Sequence, residues 1–301
     1  MINLTVCIPT FNRKFYLEKA LQSVVGQLKP GDEVVVSDNG STDGTSEYIN
    51  GLFGNHPGIV YKWNEQNIGP VMNFGKVIEA ASNHYIFFLT DDDFLLPGAL
   101  NSARKFFEEH NVTAFKTGFY TYFEKGKSGD LKILTKNHVT PKNISLKMAG
   151  KILHASHVLT GFCFKKELFS WEDLLAFENN WYPSMLFMGK AGLSIGYLSE
   201  PTNVHTWENE TFWGISPDKR DELNQGQVKT LRYLLLKKYI TYDHYFELVY
   251  KHYRSWPYEK NKLLFEQLTA RDKMKVTFLK GIRMVVKLNH YLKRVFRQKP
   301  Q

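Results

Sequence analysis

Over residues 1–110, short apolar runs alternate with stretches in which apolar positions recur every three or four residues. Leu4-Thr5-Val6-Cys7-Ile8, Glu33-Val34-Val35-Val36-Ser37, Ile59-Val60-Tyr61-Lys62-Trp63 and Tyr85-Ile86-Phe87-Phe88-Leu89 are short and rich in β-branched or aromatic residues, which predicts strands. Helices are predicted between them, from about residue 15 to 28, around Glu47-Tyr48-Ile49, and from about 71 to 81. Pro30-Gly31-Asp32 stops the first, and Ser41, Thr42 or Asp43 offers an N-cap to the second. Strand and helix alternating at this spacing predict an α/β fold, a parallel sheet with helices on both faces. From 111 to 150 the pattern changes. Phe115-Lys116-Thr117-Gly118-Phe119-Tyr120-Thr121-Tyr122-Phe123 alternates aromatic and polar residues, which predicts antiparallel strands.

In parallel sheets of this kind, ligands bind beyond the carboxyl ends of the strands. Four polar segments follow strands directly: residues 9–13, 38–43, 64–69 and 91–93. Each alone reads as a surface loop, but their shared position predicts one functional rim. The sharpest is Asp91-Asp92-Asp93, delivered by a buried strand and followed by the turn Leu95-Leu96-Pro97-Gly98-Ala99-Leu100. Adjacent carboxylates repel and require a counter-charge, which a divalent cation with oxygen ligands supplies. A solvated acidic turn is the alternative.

Composition narrows the picture. At 301 residues and 43% hydrophobic, the chain is long enough for one catalytic-sized domain with extensions. Cys7 and Cys163 sit in apolar runs, as expected of a reduced, intracellular protein. The N-terminal residues lack the pattern of a secretion signal, and no run reaches the roughly 18 to 20 apolar residues that span a bilayer. The net charge of +9 is local: residues 271–301 hold ten Lys or Arg against one acid, Asp272, so the first 270 residues carry 29 of each sign.

Val6-Cys7-Ile8-Pro9-Thr10-Phe11-Asn12-Arg13, Val36-Ser37-Asp38-Asn39-Gly40-Ser41-Thr42-Asp43-Gly44-Thr45 and Phe88-Leu89-Thr90-Asp91-Asp92-Asp93-Phe94-Leu95-Leu96-Pro97 resemble, in order and spacing, the signature segments of family 2 glycosyltransferases. That family has the GT-A fold, a Rossmann-like, mostly parallel sheet between helices. The resemblance implies a nucleotide-sugar-binding half over 1–110, an acceptor-binding half over 111–215, and a helical C-terminal extension over 216–301. It points to Pro9, Thr10 and Arg13 as the border of the nucleotide and to Asp38 as the acid on the nucleobase edge. A lone carboxylate suits uracil or thymine, so a UDP-sugar donor is expected; Asn39 stands where a second acid is usual. Asp91 and Asp93 have the spacing of the family's Asp-x-Asp motif, with Asp92 as alternative partner. Asp93 is the expected direct ligand of Mn2+ or Mg2+, with Asp91 as a second expected metal residue, and Asp91 and Asp92 lie beside the diphosphate. Asn73, in the segment before the fourth strand, borders the nucleotide, although Met72 replaces the family's basic residue.

In the acceptor half, Leu159-Thr160-Gly161-Phe162 resembles the turn that lines the donor sugar, and Gly161 lets the chain approach closely. The Glu-Asp that usually starts the next helix is missing from Phe177-Glu178-Asn179-Asn180. Glu178 becomes the expected catalytic base, with Asp173, Glu172, Glu208 and Glu210 behind it. In Val204-His205-Thr206-Trp207-Glu208-Asn209-Glu210-Thr211-Phe212-Trp213, His205 is a candidate for the metal shell, and Trp207 and Trp213 for stacking on sugar.

The tail repeats Phe278, Ile282, Val285, Leu288, Leu292 and Val295 at helical spacing among basic residues, which predicts an amphipathic helix on an anionic membrane surface. Its alternative is a helix packed on the catalytic domain. The whole reads as an inverting transferase building a surface polysaccharide on a polyprenyl-diphosphate-linked acceptor, cytoplasmic and peripheral to the inner face of the cell membrane. Three other readings compete. A sugar nucleotidyltransferase would carry a Gly-rich basic loop after the first strand, a nucleic-acid-binding module would spread its basicity beyond the tail, and a transferase fold without catalysis fits the missing Glu-Asp. An oligomer is compatible with the pattern and not required by it.

Overall fold

Four parallel strands form one half of the sheet: β1 (Leu4–Thr10), β2 (Glu33–Asp38), β3 (Ile59–Trp63) and β4 (Tyr85–Phe88), in the order β3-β2-β1-β4. The structure is a computed structural model, and it describes residues 2–54, 56–123, 129–156, 158–176, 183–192, 194–207, 217–243, 245–246 and 273–274. The linking helices are α1 (Lys14–Val25), α2 (Thr45–Phe53) and α3 (Pro70–Glu79). α1 buries Leu17, Ala20, Leu21 and Val24, one face at three- and four-residue spacing, in the core that also holds Leu4, Val6 and Ile8 of β1. Each such large side chain contributes about 1.5–3 kcal/mol. α1 ends at Val25, short of the expected residue 28, and α2 starts behind Gly44 in the left-handed region (φ 83°), with Asp43 Oδ1 accepting from the amide of its first residue, Thr45, at 3.2 Å.

The other half is mixed. β4 pairs antiparallel with β8 (Phe162–Lys165), which pairs antiparallel with β6 (Ala114–Phe123); β6 runs parallel to β9 (Ile195–Trp207). β5 (Phe94–Leu95) closes the order against β9, and β7 (Leu131–Lys132) borders β6. The expectation of antiparallel strands over 111–150 is therefore corrected in part: β6 is a single long strand whose longest ladder is parallel, and the region ends in α5 (Leu146–Ala155). The residues after Asp93, expected as a turn, add β5 before α4 (Ala99–Glu109). Both differences arise from pairing with β9, about a hundred residues further on.

At the end of the sheet where β1 and β2 begin, Asp32 accepts from Arg104 Nη2 at 2.5 Å and from the amides of Leu4 and Lys29 at 2.8 Å. Arg104 Nε also donates to the Ile2 carbonyl at 3.0 Å. Both side chains are almost wholly buried.

α6 (Trp171–Leu175), α7 (Pro183–Lys190) and α8 (Pro217–Leu236) meet around Asp173, which accepts from Lys190 Nζ and from the Tyr233 hydroxyl at 2.7 Å. Burial raises the Asp173 carboxyl, but the bonds from Lys190 and Tyr233 outweigh it and hold it below the ordinary carboxylate range. A depressed folded value means the stabilisation is complete above the unfolded carboxylate value of ~3.9 and is lost as pH falls through the lower folded value. Protection of α8 amides from hydrogen exchange is expected to fall below about pH 4, and Asp173→Asn is expected to cost about 2 kcal/mol at neutral pH and to flatten that acid dependence.

The chain divides into two compact units, Met1–His244 and Tyr245–Gln301. The basic tail from 275 onward lies outside the described residues. Among the described residues, no helix is long and apolar enough to cross a membrane.

Candidate functional site

The strands end on one rim, and hydrogen bonds stitch the loops that leave it. Asn12, in the left-handed region at φ 52°, donates its amide to Ser41 Oγ and accepts from the Thr42 amide, both at 2.8 Å. Lys14 N donates to Asp43 at 2.9 Å, joining the start of α1 to the loop before α2. Asn39 Oδ1 accepts from Ile68 N at 2.9 Å, and its Nδ2 donates to Asn67 Oδ1 at 2.8 Å. Thr10 Oγ1 donates to Asp91 at 2.7 Å, tying the first segment to the last. All four expected segments thus share one hydrogen-bonded rim.

Their side chains differ in what they do there. Asp38 is fully buried; one carboxylate oxygen accepts from Ser41 N at 2.8 Å and the other from the Tyr61 hydroxyl at 2.6 Å. Asn73 is a strut, bonded to the Ser37 carbonyl at 2.9 Å, the Ser37 hydroxyl at 2.7 Å and Asn64 at 3.1 Å. Pro9 is the β1 partner of Ser37.

The three aspartates are compensated from within the protein. Arg13 Nη1 lies 3.2 Å from Asp91 and 2.8 Å from Asp92. Burial, then the charge of Asp92, raise the Asp91 carboxyl to about 7, with Arg13 and Thr10 pulling it back. Burial lowers the Arg13 guanidinium, but the two carboxylates more than offset this. Asp93 is buried and accepts from Thr206 N at 2.8 Å, while His205 Nδ1 stands 3.0 and 3.1 Å from its two oxygens. Burial lowers the imidazole, yet the charge and hydrogen bond of Asp93, with the charge of Asp92, raise it overall. Arg13 supplies the counter-charge of Asp91 and Asp92, and the His205 imidazole faces Asp93.

Among the described residues, no three His, Cys, Asp or Glu side chains gather into a group able to hold a metal ion. Asp93 and His205 do meet, and their 3.0 Å spacing is that of two adjacent ligands about 2.1 Å from an octahedral ion. Two protein donors fit an ion completed by phosphate oxygens and water, the usual arrangement for Mg2+.

Gly161 (φ 75°) donates its amide to the Phe88 carbonyl at 3.0 Å and accepts from Thr117 N at 3.0 Å, bridging β4 and β6. A Cβ there would stand 2.1 Å from Thr117 Oγ1 and 2.7 Å from Asn203 Oδ1. Gly161→Ala is expected to destabilise by about 1–3 kcal/mol from overpacking, with left-handed strain added, as read by urea denaturation.

Trp207 is the last residue of β9, paired with Phe123. Glu178, Glu208, Glu210 and Trp213 lie outside the described residues. Of the other base candidates, Asp173 is engaged by Lys190 and Tyr233, and Glu172 is an exposed carboxylate 3.3 Å from Lys237 Nζ. Sequence reasoning missed Tyr61, Thr160 and Thr206. Threonine and tyrosine within strand patterns carry no signal of their own, and their roles come from partners 23, 70 and 113 residues away.

This sheet, with an acidic strand end facing nucleotide-type loops, is the GT-A architecture. Solved structures of that fold align with most of the chain. TarS 1–349 of S. aureus in complex with UDP-GlcNAc matches at a TM-score of 0.65 and 18% identity, covering 92% of this chain and 79% of that fragment. A mannosyltransferase from Pyrobaculum calidifontis, in complex with GDP-Man and Mn2+, matches at 0.54 and 13%, covering 98% and 88%. Residues 5–169, more than half of the chain, match the model of glycosyl transferase family 2, and the chain belongs to that family. It is 27% identical over 286 residues to the abequosyltransferase RfbV of Salmonella typhimurium, covering 85% of this chain and 82% of RfbV. Over 103 residues it is 39% identical to the GalNAc(5)-diNAcBac-PP-undecaprenol beta-1,3-glucosyltransferase of Campylobacter jejuni, covering 34% of this chain and 33% of that enzyme.

Proposed function

We propose that this glycosyltransferase moves a sugar, with inversion, from a nucleoside-diphosphate donor to a glycan acceptor carried on a lipid diphosphate, in the synthesis of a surface polysaccharide. The observation that carries the reading is the convergence of Thr10, Arg13, Asp38 and the three aspartates on one hydrogen-bonded rim in a chain of this family. The UDP-GlcNAc complex of TarS and the undecaprenol-linked acceptor named for the Campylobacter relative support a UDP-sugar and a lipid-linked acceptor.

In this reading residues 1–110 bind the donor and 111–215 the acceptor. The nucleotide lies along residues 9–13 and 38–43, with Asn73 bracing that wall from behind. Asp93 and His205, with its Nδ1 unprotonated, would hold a divalent cation, which would supply positive charge to offset the negative charge developing on a departing nucleoside diphosphate. Asp91 and Asp92 keep Arg13 extended across the diphosphate site. Gly161 lets the chain approach the sugar, and Trp207 and Trp213 offer it an apolar face. A sugar hydroxyl is a poor nucleophile, so a base must take its proton as the new bond forms, which raises the rate by ~10²–10⁴-fold. Glu178 is the carboxylate proposed for this. Attack on the face opposite the leaving group inverts the anomeric carbon. The basic tail is proposed to dock on the anionic membrane surface where the acceptor resides.

Calorimetric titration with UDP, GDP and dTDP, each with and without Mn2+, tests the donor site. Tight binding of one nucleotide, strengthened by the metal, is expected; absence of binding to all three would overturn the assignment.

A further inference from the structure

Behind the acidic strand end lies a cluster of buried polar side chains that none of these roles uses. Lys116 of β6 is fully buried. Its Nζ donates to the Thr160 carbonyl at 2.5 Å, lies 3.5 Å from the Thr117 carbonyl, and sits 5.0 Å from the centroid of the Phe119 ring. Thr117 Oγ1, Asn203 Oδ1 and the ammonium converge over Gly161, at 2.1, 2.7 and 3.1 Å from the point where a Cβ would stand. Asn203 Nδ2, also buried, has no hydrogen-bond partner among the described residues.

Burying an ammonium without a carboxylate against it costs several kcal/mol, and a methionine of similar length would fill the same space without that cost. Among the described residues Lys116 makes no ion pair; the acids that act on it, through space, are Cys163 and Asp93. Burial pulls its pKa down to about 7, against the opposing pull of those two groups. Two routes connect it to the rim. The Thr160 hydroxyl accepts from Thr90 N at 3.0 Å and shares a 2.8 Å hydrogen bond with Thr90 Oγ1, immediately before the aspartates. The Phe119 ring meets His205 edge-on at 6.0 Å, and His205 pairs with Asp93.

We infer that Lys116 is a positioning residue of the donor site, a cation fixed beneath the acidic motif that braces the Thr160–Gly161 turn and strengthens binding of the anionic diphosphate without touching it. The inference rests on the transferase reading above. It resolves the imbalance of the cluster: the anion that a buried ammonium lacks arrives with the substrate. Coupling of this kind is reciprocal, so the factor by which the ammonium strengthens anion binding equals the factor by which the anion strengthens protonation of the lysine.

The test compares UDP and GDP binding, with Mn2+ present, by the wild type and Lys116→Met at about pH 6.5 and about pH 8.5. Asp93, Cys163 and His205 are the other titratable groups acting on or near the lysine, and they are common to both proteins. The variant is expected to melt at or above the wild-type temperature, to bind ~10-fold more weakly at the lower pH, and to match the wild type at the higher pH, where the lysine is neutral. A folded variant that binds like the wild type at both pH values overturns the inference and leaves the transferase reading standing. A wild type that binds neither nucleotide overturns both. If the variant does not fold, the wild type labelled with ¹³C at the lysine ε-carbons carries the test. One resonance should titrate near neutrality, and its midpoint should rise by about one pH unit when UDP saturates the site. A midpoint that bound UDP leaves in place overturns the inference.

Discussion

An Asp93→Asn protein is expected to transfer sugar about 10³-fold more slowly than the wild type and to lose the strengthening of nucleotide binding by Mn2+ that the proposed donor site predicts. The substitution is isosteric. Its amide oxygen still accepts from Thr206 N, the bond that joins the acidic strand end to β9, so the fold should melt within a few degrees of the wild type. What it removes is the negative charge facing His205 and the oxygen best placed, with His205 Nδ1, to ligate a cation. Neutralising a diphosphate leaving group accounts for several kcal/mol of barrier, and about 4 kcal/mol is a factor of about 10³ in rate. Nucleoside diphosphate release and calorimetry with and without Mn2+ check the two parts separately. A variant with wild-type rates would remove Asp93 from the chemistry and leave it as a clamp on Thr206.

Arg104→Met is expected to destabilise the fold by ~3–5 kcal/mol while leaving donor binding unchanged at temperatures where the protein stays folded. Arg104 and Asp32 are 2–6% exposed, and Asp32 also receives the amides of Leu4 and Lys29, so removing the guanidinium leaves a buried carboxylate with its main counter-charge gone. The pair lies where β1 and β2 begin, at the end of the sheet opposite the rim, which separates its effect on stability from any on the site. Replacing both partners, with Asp32→Asn added, should recover part of the loss, because a neutral amide needs no counter-charge and its one oxygen still accepts from one of the two backbone donors. Urea denaturation of the single and double variants measures both effects. A single variant within about 0.5 kcal/mol of the wild type would show that water reaches the pair.

The first half of the fold was legible because its signals are local. Each of the four parallel strands is a short apolar run, each linking helix shows a buried face at helical spacing, and polar segments follow each strand. A parallel sheet places all those segments at one end, so the rim followed from the order of elements alone. The aspartate triplet was legible too, as charge that a buried strand brings to that rim. The second half was harder. The long parallel ladder of β6 with β9 and the short β5 depend on contacts across roughly eighty to a hundred residues, which no window of sequence reports.

By itself, then, the sequence determined the α/β class, the family and the acidic motif, because hydrophobic period and the order of polar turns are properties of neighbouring residues. The tertiary structure alone decided how the charges are balanced. Arg13 reaches Asp91 and Asp92 across 78 and 79 residues, and His205 reaches Asp93 across 112. Asp38 is taken up by Tyr61 and Ser41, and Lys116 is buried with no carboxylate paired to it among the described residues. Which side chains compensate a buried charge depends on distance in space and on exclusion of water, and both exist only once the sheet has closed around the site.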